Sequence, residues 1–365
     1  MLNFSKIKVL LIYLIFLLIG FFALLNFQSN DSKFINKKIN LGLDLQGGSY
    51  LLLEIQTDSL IEERLQDKVI PLKKTLKKNQ IKFDNFSVLD KEILFNIDKK
   101  DSDKLELLFF AKKDNQVNSY IDRYNTFELD LKVEENKVKV FFSKYGILTI
   151  DNSALKQSIE IVRRRIDDVG TKEPTILQRG AKRILVELPG LKNPDRIKNL
   201  LGKTAQLNFR FVSDKSSEFG TDQLISETGE ELSVSRKIVM SGENLIDAQP
   251  SIQNQNNEPT VSFTLDRLGA QKFGRATTDN VGKRLAIVLD GNIISAPSIN
   301  EAITSGSGII SGNFSFQEAT DLALLLRSGA LPTPLTVVEE RTVGPDLGAD
   351  SIKSGITSLI VGFIL

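Results

Sequence analysis

The chain has no cysteine and no histidine. That excludes thiolate or imidazole metal sites, a Ser-His-Asp triad, a cysteine nucleophile and a histidine proton switch, leaving carboxylate, lysine, tyrosine or Ser/Thr chemistry. Absence of cysteine fits an oxidising envelope compartment. A surplus of charge is missing too: 47 Lys and Arg stand against 46 Asp and Glu, so the basic footprint of a nucleic-acid binder is lacking.

Phosphate loops and catalytic pairs are equally scarce. Gly202-Lys203-Thr204 looks like the end of a phosphate loop, but Ile197 stands where that motif needs its first glycine. Gly306-Ser-Gly308-Ile-Ile-Ser-Gly312 misses the dinucleotide spacing, and both clusters read as turns. Asp167 and Asp168 are adjacent, so on a helix they point about 100° apart, and no second acid completes a general acid/base pair. Neither a catalytic constellation nor a cofactor site is expected. Arg163-Arg164-Arg165 lies beside an apolar helical stripe, so at least two of the three face water or a neighbouring module.

What is present begins with a long apolar run. Val9 to Asn30 carries no charge, and at about 1.5 Å per residue it is long enough for a hydrocarbon core of about 30 Å. No A-x-A pattern follows Leu25, so a retained anchor is expected rather than a cleaved signal peptide. From Gly355 a second apolar run stops at Leu365 after half a span, and a truncated second membrane helix is expected. Between them, roughly 320 residues exceed one ordinary domain, so at least two packed units are expected.

The fold class expected is α+β: a transmembrane helix, then ferredoxin-like (split βαβ) modules carrying an inserted α+β head, then the start of a second transmembrane helix. After a strand with a glycine turn at Leu41–Glu54, Ser59 is expected to cap an amphipathic helix through Leu76 with a kink at Pro71. A helix, hairpin, helix, strand order runs to Phe142 and comes round again from Leu155 to a strand at Ala205–Val212. Ser213–Ser235 reads as a polar loop. Beyond it, Thr260–Leu265 alternates as a strand, Asp266–Asn280 is helical, and Asp290-Gly291 marks a hairpin. Ser315 and Glu318 fit a capping box, and Leu335–Val343 is a returning strand. The boundaries expected are 1–30 for the anchor, 31–235 for a base, 236–328 for a head, 329–350 for the return and 351–365 for the second helix.

Four segments in this order resemble the SecD family of protein-export subunits. They are Leu41-Gly42-Leu-Asp44-Leu-Gln46-Gly47-Gly48, Gly180 to Gly190, Leu285 to Pro297 and Leu324 to Pro332, and Val343 to Ser351 matches the family's approach to its second membrane helix. The resemblance implies a non-enzymatic subunit of the Sec translocase in the bacterial inner membrane, multi-pass, with a large periplasmic domain. It implies use of the proton motive force, with SecF, the SecYEG channel and a YajC-like subunit as partners and unfolded secretory preproteins as substrates.

A head that grips unfolded chains needs an adaptable apolar groove. Phe263, Leu265, Phe273, Ile287, Leu289 and Ile294 are the candidate contacts, and Gly242, Gly329 and Pro332 the candidate hinge positions. Neither apolar run holds Asp, Glu, Lys or Arg, so the family's proton-relay acid is expected in a later helix. The alternative function is a resistance-nodulation-division type exporter component for lipids or small molecules.

Overall fold

The structure, a computed structural model, describes residues 6–27, 47–113, 115–171, 173–191, 194–213, 220–226, 229–253, 257–343 and 345–364. Helix α1 (Lys6–Phe27) is 22 residues long. Its side chains are described only as far as Phe21, and these are exposed on every face. Among the described residues no helix is long and apolar enough to cross a membrane.

The base starts with β1 (Gly48–Ile55). Gly47 and Gly48 both have positive φ, 69° and 141°, a region that side chains disfavour, and the Gly47 carbonyl accepts a hydrogen bond from Gly190 N at 2.9 Å. The glycine pair thus seats the start of β1 against the end of its neighbour. Gly42, Asp44 and Gln46 lie outside the described residues.

A subunit inserted after β1 comprises α2 (Asp58–Lys78), β2 (Phe83–Leu89), β3 (Glu92–Ile97), α3 (Ser102–Phe109), the short β4 (Tyr120–Ile121) and β5 (Thr126–Phe127), β6 (Leu129–Glu134) and β7 (Lys137–Phe142). Its sheet runs β2-β3-β7-β6. The helix cap is Thr57, not Ser59, and α2 continues through Pro71 to Lys78.

The chain then returns to β1 through α4 (Lys144–Val169), β8 (Thr175–Arg179), β9 (Arg183–Pro189) and α5 (Asp195–Gly202). Gly170 ends α4 with φ 81°, the left-handed stop expected of a glycine there. The sheet order is β18-β1-β9-β8, with β18 (Leu335–Val343) arriving from the far end of the chain, and all neighbouring pairs are antiparallel. In chain order β1-α4-β8-β9-α5-β18 this is a split βαβ sheet whose first and last strands lie side by side at its centre and edge.

The head fills the interval between α5 and β18. It holds β10 (Leu207–Val212), β11 (Thr221–Ile225), β12 (Glu231–Ser241), β13 (Leu245–Ile252), β14 (Pro259–Leu265), α6 (Arg267–Thr278), β15 (Leu285–Leu289), β16 (Asn292–Ser295), β17 (Ser307–Ile310) and α7 (Phe316–Ser328). One sheet runs β11-β12-β10-β15-β16 and the other β13-β14-β17. A parallel bridge from Ser226 to Ile293 draws the two edges of the larger sheet together.

Three expectations are corrected here. The first unit is not a split βαβ module of its own, because β7 pairs with β3 and β6 while β1 pairs with β9 and β18. The strand near Ala205–Val212 exists, but it pairs with β12 and β15 in the head rather than completing the base; the fourth base strand is β18, so the head sheet begins at Leu207 and not near residue 236. The segment 213–235 is not only loop, since it carries β11 and the start of β12, where Leu232 and Val234 are buried between polar neighbours. After β18, α8 (Pro345–Ile364) leads on.

Candidate functional site

Two of the head's open pockets border the features that set its geometry. The first is a cavity of about 260 Å³ between the two head sheets, walled by Phe209, Phe263, Phe273 and Ile287, with the 297–303 segment and β17 at its mouth. The three rings come together from β10, β14 and α6, with centroids 5.7, 5.5 and 6.2 Å apart in edge or tilted arrangements, the geometry aromatic quadrupoles favour. Gly308 faces this cluster: a Cβ there would stand 2.5 Å from the Phe263 ring. Ile309, next to it, is 57% exposed.

Helix α6 is fixed beside the cavity by Asp266. Its carboxylate accepts from Gly269 N at 2.5 Å and from Asn244 Nδ2 at 3.3 Å, and the Gly269 bond is the main reason its pKa is held below the ordinary carboxylate value.

The second pocket is a crevice of about 270 Å³ bordered by Lys203, Leu289, Ile294, Phe314, Leu322 and Leu325. It lies beside the joint between head and base. There Leu200 and Ala205 pack with Leu324 and Leu325 of α7, with Val169 and Leu289 alongside. Ion pairs join Arg327 to Asp168 at 3.0 Å and Arg196 to Asp321 at 2.7 Å. Asp290, held at φ 50° in its hairpin turn, accepts from Ala205 N at 3.0 Å and Gln206 N at 2.8 Å, and from the Thr204 hydroxyl.

At the centre of the joint is Arg165. Of the arginine run, Arg163 and Arg164 are exposed while Arg165 is 1% exposed. Burial lowers its pKa to about 10, still high enough to keep it charged at neutral pH.

The six expected contact residues do not form one surface. Phe263, Phe273 and Ile287 wall the cavity, Leu289 and Ile294 border the crevice, and Leu265 lines neither. Phe263, Leu265, Phe273, Ile287 and Ile294 are buried core side chains. Their strand and helix spacing marked them as inward-facing, and inward here means packed against one another. Gly329 and Pro332 lie on a chain crossing between head and base; Gly242 does not. It opens a turn between β12 and β13 inside the head, where a Cβ would stand 3.1 Å from Leu207 Cβ. Sequence reasoning missed Arg165 and Asp290: the first was hidden in a run of like charges, the second in a turn motif.

The architecture is a base built on one split βαβ sheet, with an inserted antiparallel sheet beside it, carrying a two-sheet head on two chain crossings. Residues 217–333 match the SecDF P1 head subdomain, 155–214 the N-terminal P1 domain of protein translocase subunit SecDF, and 34–59 the SecD/SecF GG motif. Protein translocase subunit SecD of Rickettsia bellii is 37% identical over 371 residues, covering 99% of this chain and 70% of the relative. Its counterpart in Acetobacter pasteurianus is 42% identical, over 90% of this chain and 64% of the relative. A crystal structure of SecDF in super-membrane-facing form is similar with a TM-score of 0.53 and 27% identity, over 98% of this chain and 38% of that one. The chain belongs to the SecD family of protein translocase subunits, and it spans about two thirds of the length of the Rickettsia conorii relative, 66%.

Proposed function

We propose that the chain is a Sec translocase accessory subunit, a transport component whose head receives extended segments of secretory proteins leaving the membrane. The observation that carries this reading is the aromatic-walled cavity with a mouth at β17, held on a head that joins its base through only two chain crossings. A cavity of about 260 Å³ takes one or two apolar side chains, and an apolar wall recognises them without reading sequence, as a carrier of many substrates must.

In this reading α1 and α8 anchor the base in the inner membrane and the soluble part faces the periplasm. SecF, the SecYEG channel and a YajC-like subunit are the expected partners. The proton motive force drives the work through a helix that carries an intramembrane acid, since the apolar runs of this sequence hold none.

The test is a photo-crosslinker at Ile309, at the cavity mouth, in the full-length protein. A secretory chain stalled in export should be trapped there, and a crosslinker at the exposed Ile246 on β13, the opposite edge of the sheet that holds β17, should trap little. Equal labelling at both positions, or none at Ile309, defeats the reading.

A further inference from the structure

The chain passes between base and head twice, at residues 203–206 and 329–334, and one side chain touches both passages. The Arg165 guanidinium donates from Nη1 to Leu200 O at 2.7 Å and Lys203 O at 2.5 Å, and from Nη2 to Thr204 O at 3.3 Å. On the other crossing it donates from Nη2 to Gly329 O at 3.2 Å and from Nε to Ser328 Oγ at 3.3 Å. All five of its N–H groups are thereby used. None of these partners is a carboxylate. The charge is met by oxygens at the ends of α5 and α7, where helix dipoles place negative partial charge, and by the field of the Asp290 carboxylate nearby.

We infer that Arg165 is the positioning residue of the head: a single fork that binds both crossings and so fixes the angle at which the head stands on the base. The argument is one of satisfaction. Turning the head carries the end of α7 away from the end of α5, so the fork must release Ser328 and Gly329 while it stays on Leu200, Lys203 and Thr204. A buried cation with unmet N–H groups is strongly disfavoured. Angles at which the fork is unsatisfied are therefore avoided, and the head is held at the orientation in which all five N–H groups are met.

Gly329 serves twice in this arrangement. Its φ of 91° and ψ of 166° belong to a region open essentially to glycine alone, and that conformation turns its carbonyl onto the guanidinium. The crossings are also tied to each other by Leu331 N to Thr204 O at 2.8 Å, so the fork acts on a joined pair. A lysine keeps the charge but has no planar fork to span the two.

The consequence for export rests on the translocase reading; the effect on head angle does not. These 365 residues hold no cysteine, so cysteines placed at the exposed Leu177 on the base and Val281 on the head carry spin labels without removal of any native thiol from base or head. The wild-type distance distribution should show one dominant separation. In Arg165→Met the displaced fraction should rise about tenfold or more, the shift expected from losing hydrogen bonds to a charged group, and Arg165→Lys should fall between. An unchanged distribution in folded Arg165→Met overturns the proposal. If that variant fails to fold, Ser328→Ala decides: it removes the side-chain acceptor on the head side, together with the local bond from Ser328 Oγ to Leu325 O within α7, a few-fold rise in the displaced fraction supports the proposal, and no change overturns it. A broadened distribution supports it whether or not export of a secretory reporter slows; broadening with undiminished export counts against the translocase reading alone.

Discussion

Base and head solve the same burial problem differently. In the base one set of apolar side chains runs unbroken from Leu51 in β1 through Leu155 in α4 to Leu335 in β18, including the inserted subunit around Phe95 and Val140. The head divides its apolar residues by strand alternation. Leu285 and Ile287 of β15 point to the aromatic cavity side, while Ala286 and Val288 join Leu232, Val234 and Ile293 on the opposite face. A strand buried on both faces leaves two thinner layers instead of one thick core. The head keeps unfilled volume beside its aromatic rings, whereas the open pocket of the base, about 850 Å³, lies at its surface among polar side chains such as Lys82, Asp84 and Glu134 and leaves the apolar core closed.

The largest expected effect tests the dense side. Leu155→Ala removes a side chain that is fully buried between helix and sheet, and it should cost about 4 kcal/mol, in the upper half of the range for such truncations. Ile287→Ala, at a cavity wall that already lacks packing atoms on one side, should cost less, about 2–3 kcal/mol. Denaturant unfolding of the two variants measures both, and equal losses would break the distinction between the two cores.

How much of this was legible in the sequence follows the same division. The capping box at Ser315 and Glu318, the Gly170 stop and the Asp290-Gly291 turn were readable because each is a local device, and each is present. Strand existence was readable from alternation, but strand partnership was not. β10 and β18 both read as strands, and only long-range pairing assigns the first to the head and the second to the base. The polar run before residue 236 concealed β11 because Thr221 to Ile225 lies at a sheet edge with little buried, where no apolar alternation is required. The cavity-lining rings were picked out as apolar, yet apolar spacing marks core and ligand contact in the same way. Arg165 was not legible at all: its neighbours Arg163 and Arg164 share its chemistry, and burial depends on where α5 and α7 end.

A smaller effect sharpens the comparison at the helix that joins head to base. Ser315 accepts from Glu318 N at 3.2 Å while the Glu318 carboxylate accepts from Ser315 N at 2.8 Å. Ser315→Ala should cost about 1 kcal/mol. The loss should appear in unfolding followed from the head, with hydrogen exchange faster in the first turn of α7 and the base helix α4 unaffected. Equal exchange in the two helices would mean that α7 is held by the joint and not by its cap.

The smallest effect expected is a difference in acid sensitivity. In the head, the pKa values of three carboxyls are held low: Asp222 chiefly by its bond to Arg236, Asp266 by Gly269 N, and Glu318 by Ser315 N. A depressed carboxylate contributes stability that is present above its unfolded pKa, near 4, and is lost as pH falls through the lower folded value. The base has one such group, Asp58, lowered by Lys91, and one opposite group, Asp130, raised by burial. Raising a carboxyl pKa has the reverse sign: the charged form is disfavoured at neutral pH and the penalty is relieved as pH falls. Between about pH 5 and pH 3 the head should therefore lose stability faster than the base. Fluorophores on cysteines at Val281 and Leu177 report the two melting temperatures separately. Asp222→Asn should flatten the head's pH profile while leaving that of the base alone, and a head no more acid-sensitive than the base would show that these carboxylates are equally satisfied in the unfolded chain.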